Sequence, residues 1–295
     1  MKSTASTTAP QDRAASTFKA PTWWHEVLIA AVFYLVYSQV RNLFGAGTES
    51  RMIAFGHAKD IIRIEESLRL WFEPALQQWY LDLPNRGFIR AWNIFYGTAH
   101  FIVTIGVLIA AFRKVPDRYR FIRTALAGTT ALALIGFASF TLMPPRLLDS
   151  ASTFGACYGQ GENCHGYGIV DTIELWGGLW KFSSGGMAAI SNQYAAMPSL
   201  HFGWSTWCAI TMVIVIGSGW RRWLWFLYPA ATTFCIIVTG NHYWLDAFFG
   251  GVVLAGGFTI ASVVERISTN RRLGRGEAGP PDHGRTVISA SGQDS

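Results

Sequence analysis

His242 and Asp246 stand four residues apart in the stretch Gly240-Asn241-His242-Tyr243-Trp244-Leu245-Asp246. On a helix that spacing puts the two on one face, one turn apart. A carboxylate placed there accepts from one imidazole nitrogen and fixes the tautomer. The other nitrogen is then free to attack an electrophile or to take a proton. Asn241 precedes the pair as an N-cap. His201 follows Pro198-Ser199-Leu200, with Ser199 a second N-cap, and Arg146 closes Pro144-Pro145-Arg146. Helix N-termini present unpaired N–H groups and a partial positive charge, so two of them beside an arginine describe a pocket for a phosphate. Each residue also has a plainer use. A histidine near a helix end can be an interfacial hydrogen-bonder, the aspartate can point at water, and the arginine can snorkel. Those plainer uses do not require four polar groups at one depth.

The elements that would carry these residues follow from composition. Hydrophobic residues make up 51% of the 295-residue chain and charged residues 14%, where a soluble domain carries about 25% charged. The mean hydropathy is +0.24, and 13 Trp and 20 Phe suit two bilayer interfaces. A disordered, collagenous or disulfide-dense chain is excluded. Six segments approach the roughly 20 apolar residues that cross a bilayer: about Trp23 to Phe44, then 91–112, 124–145, 200–219, 223–240 and 242–264. The expectation is an all-α, polytopic membrane helical bundle of six transmembrane helices.

Orientation follows from lysine and arginine in the connections. The side with both termini and the 113–123 and 220–222 turns holds 15 basic residues, and the opposite side holds 7. Both termini are therefore expected in the cytoplasm of a cell with this protein in its plasma membrane. The net charge of +6 is a matter of topology and anionic inner-leaflet lipid, with no nucleic acid partner. Residues 1–22 and 266–295 read as disordered cytoplasmic tails and 23–265 as the catalytic membrane domain, with extracytoplasmic connections 45–87 and 144–200. In the first connection, Ile61, Ile62, Ile64, Leu68 and Phe72 form an apolar stripe, so an amphipathic helix is expected there. The second is Gly-rich and long enough to be functional or disordered. It contains Cys157 and Cys164, expected as a disulfide on the oxidising side, with a metal site shared with His165 as the alternative. His100 lies inside the second span, one turn from Tyr96, and either bonds a neighbouring helix or lines the pocket.

Pro198-Ser199-Leu200-His201 resembles the Pro-Ser-Gly-His motif of the type 2 phosphatidic acid phosphatase superfamily. His242 to Asp246 resembles its closing His-x-x-x-Asp motif. With Pro144-Pro145-Arg146, the pattern is most similar to the branch containing inositol phosphorylceramide synthases and related actinobacterial membrane proteins. The resemblance implies a lipid-phosphate phosphatase or phosphotransferase that uses no cofactor and no metal. His242 would be the nucleophile, Asp246 its orienting partner and His201 the acid and base. Arg146, Ser199 and Asn241 would meet the phosphate, the substrate would be a membrane lipid, and a polyol such as inositol could be the acceptor. Two cations usual in the superfamily are replaced here by Ser139 and Ile236, so Lys181, Asn241 or His100 must help meet phosphate charge, with Tyr96 lining the pocket. A less cationic site suits a diester or shielded head group. A non-enzymatic lipid transporter or flippase is the rival class, and oligomeric state has no signature in the chain.

Overall fold

The computed structural model describes residues 22–43, 48–84, 86, 88–160, 164, 166–179 and 192–273. Among these, helices dominate and the one strand-like feature is an isolated parallel bridge between Leu142 and Ala195. The order is α1 (Trp23–Leu43), α2 (Thr48–Ser67), α3 (Glu73–Leu81), α4 (Phe88–Lys114), α5 (Pro116–Ser139), the short α6 (Thr172–Trp176), α7 (Leu200–Ile216), α8 (Leu227–Val238) and α9 (Trp244–Leu273). Most of the expected tails 1–22 and 266–295 lies outside the described residues, as do Lys181 and His165.

Among the described residues, three helices are long and apolar enough to cross a membrane: α4, α5 and the Trp244–Arg271 stretch of α9. The other expected spans differ in form. The α1 helix keeps 21 residues but carries Glu26 in its first turn. The apolar α7 has 17 residues and α8 only 12, behind a 3-10 segment at Trp220–Phe226. The charged 113–123 connection shrinks to Val115, because Pro116 starts α5 directly and Arg118, Arg120 and Arg123 ride on its first turns. Proline favours the first turn of a helix, where its missing N–H costs nothing. At the other end α9 runs on to Leu273, past the expected boundary at 265.

Small residues and interhelical hydrogen bonds hold the bundle together, as expected where lipid offers no hydrophobic contrast. A Cβ on Gly257 of α9 would meet Thr129 Oγ1 of α5 at 2.2 Å, and one on Gly250 would meet the Ser199 carbonyl at 2.4 Å. Those glycines let α9 lie against α5 and against the start of α7. Trp207 Nε1 donates to the Ile122 carbonyl at 3.0 Å, and Trp204 Nε1 to Thr130 Oγ1 at 3.0 Å, so α7 is also tied to α5. An Arg123–Glu26 ion pair ties α1 to α5.

The expected amphipathic stripe is not one face. Ile61 and Ile62 are buried with Ala54 and Ala58, while Ile64, Leu68 and Phe72 are exposed. The α2 helix stops at Ser67, where Arg69 takes the left-handed conformation (φ 58°) and Leu70 N donates to the Glu65 carbonyl at 2.7 Å. That Schellman-like ending turns Leu68 and Phe72 off the helix. The buried face of α2 is instead Ala54, Ala58, Ile61, Ile62 and Glu65, at helical spacing.

Candidate active site

The end of α5, the start of α7, the end of α8 and the start of α9 all lie at one end of the bundle. Alternating helix directions make this so, and the same end carries the connection 140–199. That connection is pinned by side chains that bond its backbone. Gln77 donates to the Val170 and Val238 carbonyls, both at 3.1 Å, and accepts from Val170 N at 2.7 Å. Asn93 donates to the carbonyls of Thr172 and Gly177 and accepts from the Thr172 hydroxyl. Asp149 accepts from Tyr167 N and Ile169 N. Cys157 and Cys164 are joined, with Cα atoms 5.3 Å apart. The described parts of this connection are so satisfied that they act as a scaffold.

His242 lies in the turn before α9 rather than on its face, because α9 starts at Trp244. Its Nδ1 nevertheless donates to Asp246 Oδ2 at 3.1 Å, and the same oxygen accepts from Tyr243 N at 3.0 Å. Asp246 thus caps the helix and fixes the imidazole tautomer together. His242 Nε2 is buried and has no hydrogen-bond partner among the described residues. Asn241 does not cap α9. Its amide turns back to Thr239, donating to Oγ1 at 2.8 Å.

The other motif residues converge on this turn. Ser199 caps α7 by accepting from Phe202 N at 3.4 Å, and its own N–H donates to the Asp246 carbonyl at 2.9 Å. The backbone thereby locks the His201 helix to the His242 helix. The His201 ring centre is 5.5 Å from that of His242. His201 stacks on Tyr96 at 4.2 Å, and its Nε2 donates to the Tyr96 carbonyl at 3.2 Å. His100 Nδ1 donates to that same carbonyl at 3.0 Å, and its ring meets His201 edge-on at 4.3 Å. One carbonyl on α4 therefore aims two imidazoles. Tyr96, His100, His201 and Ile236 line a narrow crevice too tight to admit a water molecule.

Arg146 is buried and hydrogen-bonds through its backbone N–H to the Gly240 carbonyl at 2.7 Å. Its guanidinium is held by Asp171 at 2.8 Å and Gln193 at 2.6 Å, which leaves Nε buried without a partner. Asp171 also caps α6 through Ile173 N and Glu174 N. The two positions lacking a cation are now placed. Ser139 is exposed and bonded to its own helix at the Ile135 carbonyl, and Ile236 is fully buried. Asp171, Gln193 and Gln77 were not singled out in the sequence. Asp171 alone left a local sign there, a carboxylate two residues before an apolar helical turn.

Gly240 is where the turn cannot tolerate a side chain. Its φ is +68°, and a Cβ would come within 3.2 Å of Arg146 Cβ, Gln77 Nε2 and Ile169 Cγ2. Gly240→Ala is expected to cost about 1–3 kcal/mol of stability and to lower turnover by displacing His242 and Arg146 together. The matched Gly56→Ala change, at a helical site with nothing within 4 Å, leaves both unchanged. Thermal unfolding in detergent alongside a turnover assay checks the pair.

A histidine oriented by a buried carboxylate thus faces a second histidine at the end of an apolar helical bundle. The sequence profile of the PAP2 superfamily matches residues 59–261, and the chain belongs to that superfamily. No curated protein and no solved structure matches it.

Proposed function

We propose that this protein is an integral membrane phosphoesterase or phosphotransferase that acts on a lipid phosphate from the extracytoplasmic face through a phosphohistidine. The observation that carries this reading is His242. Its Nδ1 proton is committed to Asp246, and its Nε2 lone pair is buried and unclaimed. That is the state of a prepared nucleophile.

His242 Nε2 attacks phosphorus and the bond from phosphorus to the lipid oxygen breaks. His201 enters this step as the doubly protonated ring and gives one N–H proton to the leaving oxygen, which leaves it as neutral imidazole. Asp246 stabilises the positive charge that develops on the His242 ring. In the second half, His201 takes a proton from water or an alcohol as its oxygen attacks phosphorus and the P–N bond breaks. The Arg146 guanidinium and the α7 N-terminus meet the charge on the equatorial oxygens. Tyr96 and His100 hold His201, and Ser199 and Asn241 shape the two turns. Lys181 remains a candidate phosphate cation.

Six spans with both termini in the cytoplasm accommodate this arrangement in the plasma membrane. The 3-10 segment and α8 together reach roughly 30 Å, enough for one span. A second reading, transfer of a head group such as inositol phosphate, is favoured by one observation: Asp171 already neutralises Arg146. A pocket with less net positive charge suits a diester better than a dianionic monoester. Purified protein incubated with phosphate-labelled phospholipid, with and without inositol, separates the two. Free phosphate from a monoester marks a phosphatase, and a new labelled inositol lipid marks a transferase. Lipid movement between leaflets without either product would overturn the enzymatic reading in favour of a flippase.

A further inference from the structure

Glu65 on α2 and Glu73 at the start of α3 take no part in the chemistry above, yet both are sealed from solvent, at 0% and 1% exposure. Glu73 Oε1 accepts from Trp244 N at 2.9 Å, and Glu65 Oε1 accepts from Leu245 N at 3.3 Å. Those N–H groups open α9, directly after His242 and Tyr243. Glu73 Oε2 accepts from Phe72 N at 3.0 Å. The first turn of α9 is therefore capped by two side chains brought from elements more than 170 residues earlier in the chain.

No Lys or Arg pairs with either carboxyl among the described residues. Glu65 Oε2 is buried with no donor facing it, while the two carboxyl groups lie within hydrogen-bonding reach of each other. Two carboxylates can only accept, so they cannot satisfy one another. An acid and a carboxylate can. A proton on Glu65 gives its orphan oxygen a partner and leaves Glu73 free to accept from two backbone N–H groups.

We propose that Glu65 and Glu73 are positioning residues for His242: a proton-sharing pair, Glu65 the acid and Glu73 the carboxylate, that fixes the first turn of α9 and with it the His242–Asp246 hydrogen bond. This rests on the reading of His242 as the nucleophile. The electrostatics agree with the assignment. Burial first, and then the Glu73 charge, push Glu65 from 4.5 up to about 9, with Asp246 adding to the rise and the Leu245 N–H opposing it. Burial also leaves Glu73 raised, though the N–H groups of Trp244, Glu73 and Phe72 and the Glu65 acid lessen the rise. Asp246 and Tyr243 face the pair from the α9 side, with His242 beyond Asp246. Tyr167 reaches Tyr243 from the long loop. No lysine or arginine stands among these groups.

The pair is asymmetric, and that makes it testable. In Glu65→Gln the amide NH₂ still donates to Glu73 and the amide oxygen still accepts from Leu245 N. In Glu73→Gln the NH₂ replaces one accepting oxygen and is set against either the Trp244 N–H or the Phe72 N–H. The experiment measures kcat and KM from pH 5 to 10 on detergent-purified full chain, and the unfolding midpoint over the same range. Glu65→Gln is expected to keep kcat within about twofold at pH 7, whereas Glu73→Gln loses about tenfold or more in kcat with KM little changed.

The parent is expected to lose activity as pH rises through about 9, where Glu65 would ionise beside Glu73 and Asp246. Glu65→Gln is expected to lack that alkaline limb. Because folding raises the Glu65 pKa, its contribution to stability is full below about 4.5 and is lost as pH rises to about 9. The parent midpoint therefore falls across that window, and the Glu65→Gln midpoint falls less. Equal effects of the two Gln changes at pH 7, or an unaltered alkaline limb in Glu65→Gln, would overturn the proposal. If the parent turns over no phosphoester, the phosphohistidine reading fails. The capping pair is then judged on unfolding alone: a flattened pH slope in Glu65→Gln supports it and an unchanged slope overturns it. The same curves decide should Glu73→Gln not fold.

Discussion

His242→Ala is expected to abolish turnover of lipid phosphate, with kcat falling by about 10⁴- to 10⁶-fold, the scale seen when a nucleophile acting in a unit is removed. The protein should still fold and insert. The His242 side chain makes one hydrogen bond, to Asp246, and Asp246 keeps its bond from Tyr243 N when the ring is gone. The backbone N–H of residue 242 bonds to the Ile236 carbonyl whatever the side chain. Acid-stable and acid-labile phosphate on the protein, measured after a rapid quench, provides the second readout. The parent should show an acid-labile phosphoryl group and His242→Ala none. Retained turnover in the variant would sink the mechanism, because His201 Nε2 is engaged with the Tyr96 carbonyl.

His201→Ala is the second large effect, and its size should depend on the substrate. With an alkyl phosphate, whose alcohol leaves poorly without a proton, the expected loss is about 10²- to 10⁴-fold. With a nitrophenyl phosphate the departing oxygen needs no proton, so the first step survives. The second step still lacks its base, and phosphohistidine should accumulate. A burst of nitrophenolate followed by a slow steady state is the signature. A loss of the same size for both substrates, with no burst, would mean that His201 only packs against Tyr96 and His100.

These two tests concern residues whose type and spacing were legible in the chain. His-x-x-x-Asp asks for one turn of helix, and it obtained its hydrogen bond even though His242 sits just outside α9. A four-residue spacing across a helix start brings the side chains together much as it does within a helix. Ser199 was legible as a cap because a small hydroxyl ahead of an apolar run has few other uses. The membrane class was legible from composition alone, because a chain with so few charges cannot cover a soluble surface. The lengths of α7 and α8 were not. An unbroken apolar run hides where a helix stops, and Gly217 and the 3-10 segment at Trp220–Phe226 set those ends.

Glu65 marks the boundary of sequence reading. It lies on the same helical face as Ile61 and Ile62, and a charge on an apolar face was the available signal. Reading that face through Leu68 and Phe72 obscured it, because the helix ends at Ser67 through a left-handed Arg69. A non-glycine residue in that conformation carries no local sequence mark. The partnership of Asp171 with Arg146 was equally invisible: an arginine and an aspartate 25 residues apart in a Gly-rich connection have no spacing that says they meet.

The sequence by itself pointed to the bilayer as solvent and raised the expectations for which side carries the charges and which groups react. These depend on local composition and on periodicity within one element. Only the tertiary structure decided what each group has left to offer. It committed His242 Nδ1 and left Nε2 bare, neutralised most of Arg146 with Asp171, and set two glutamates against the N–H groups of Trp244 and Leu245. A hydrogen bond between residues 180 positions apart depends on how helices pack, and packing is a property of the whole bundle rather than of any stretch of the chain.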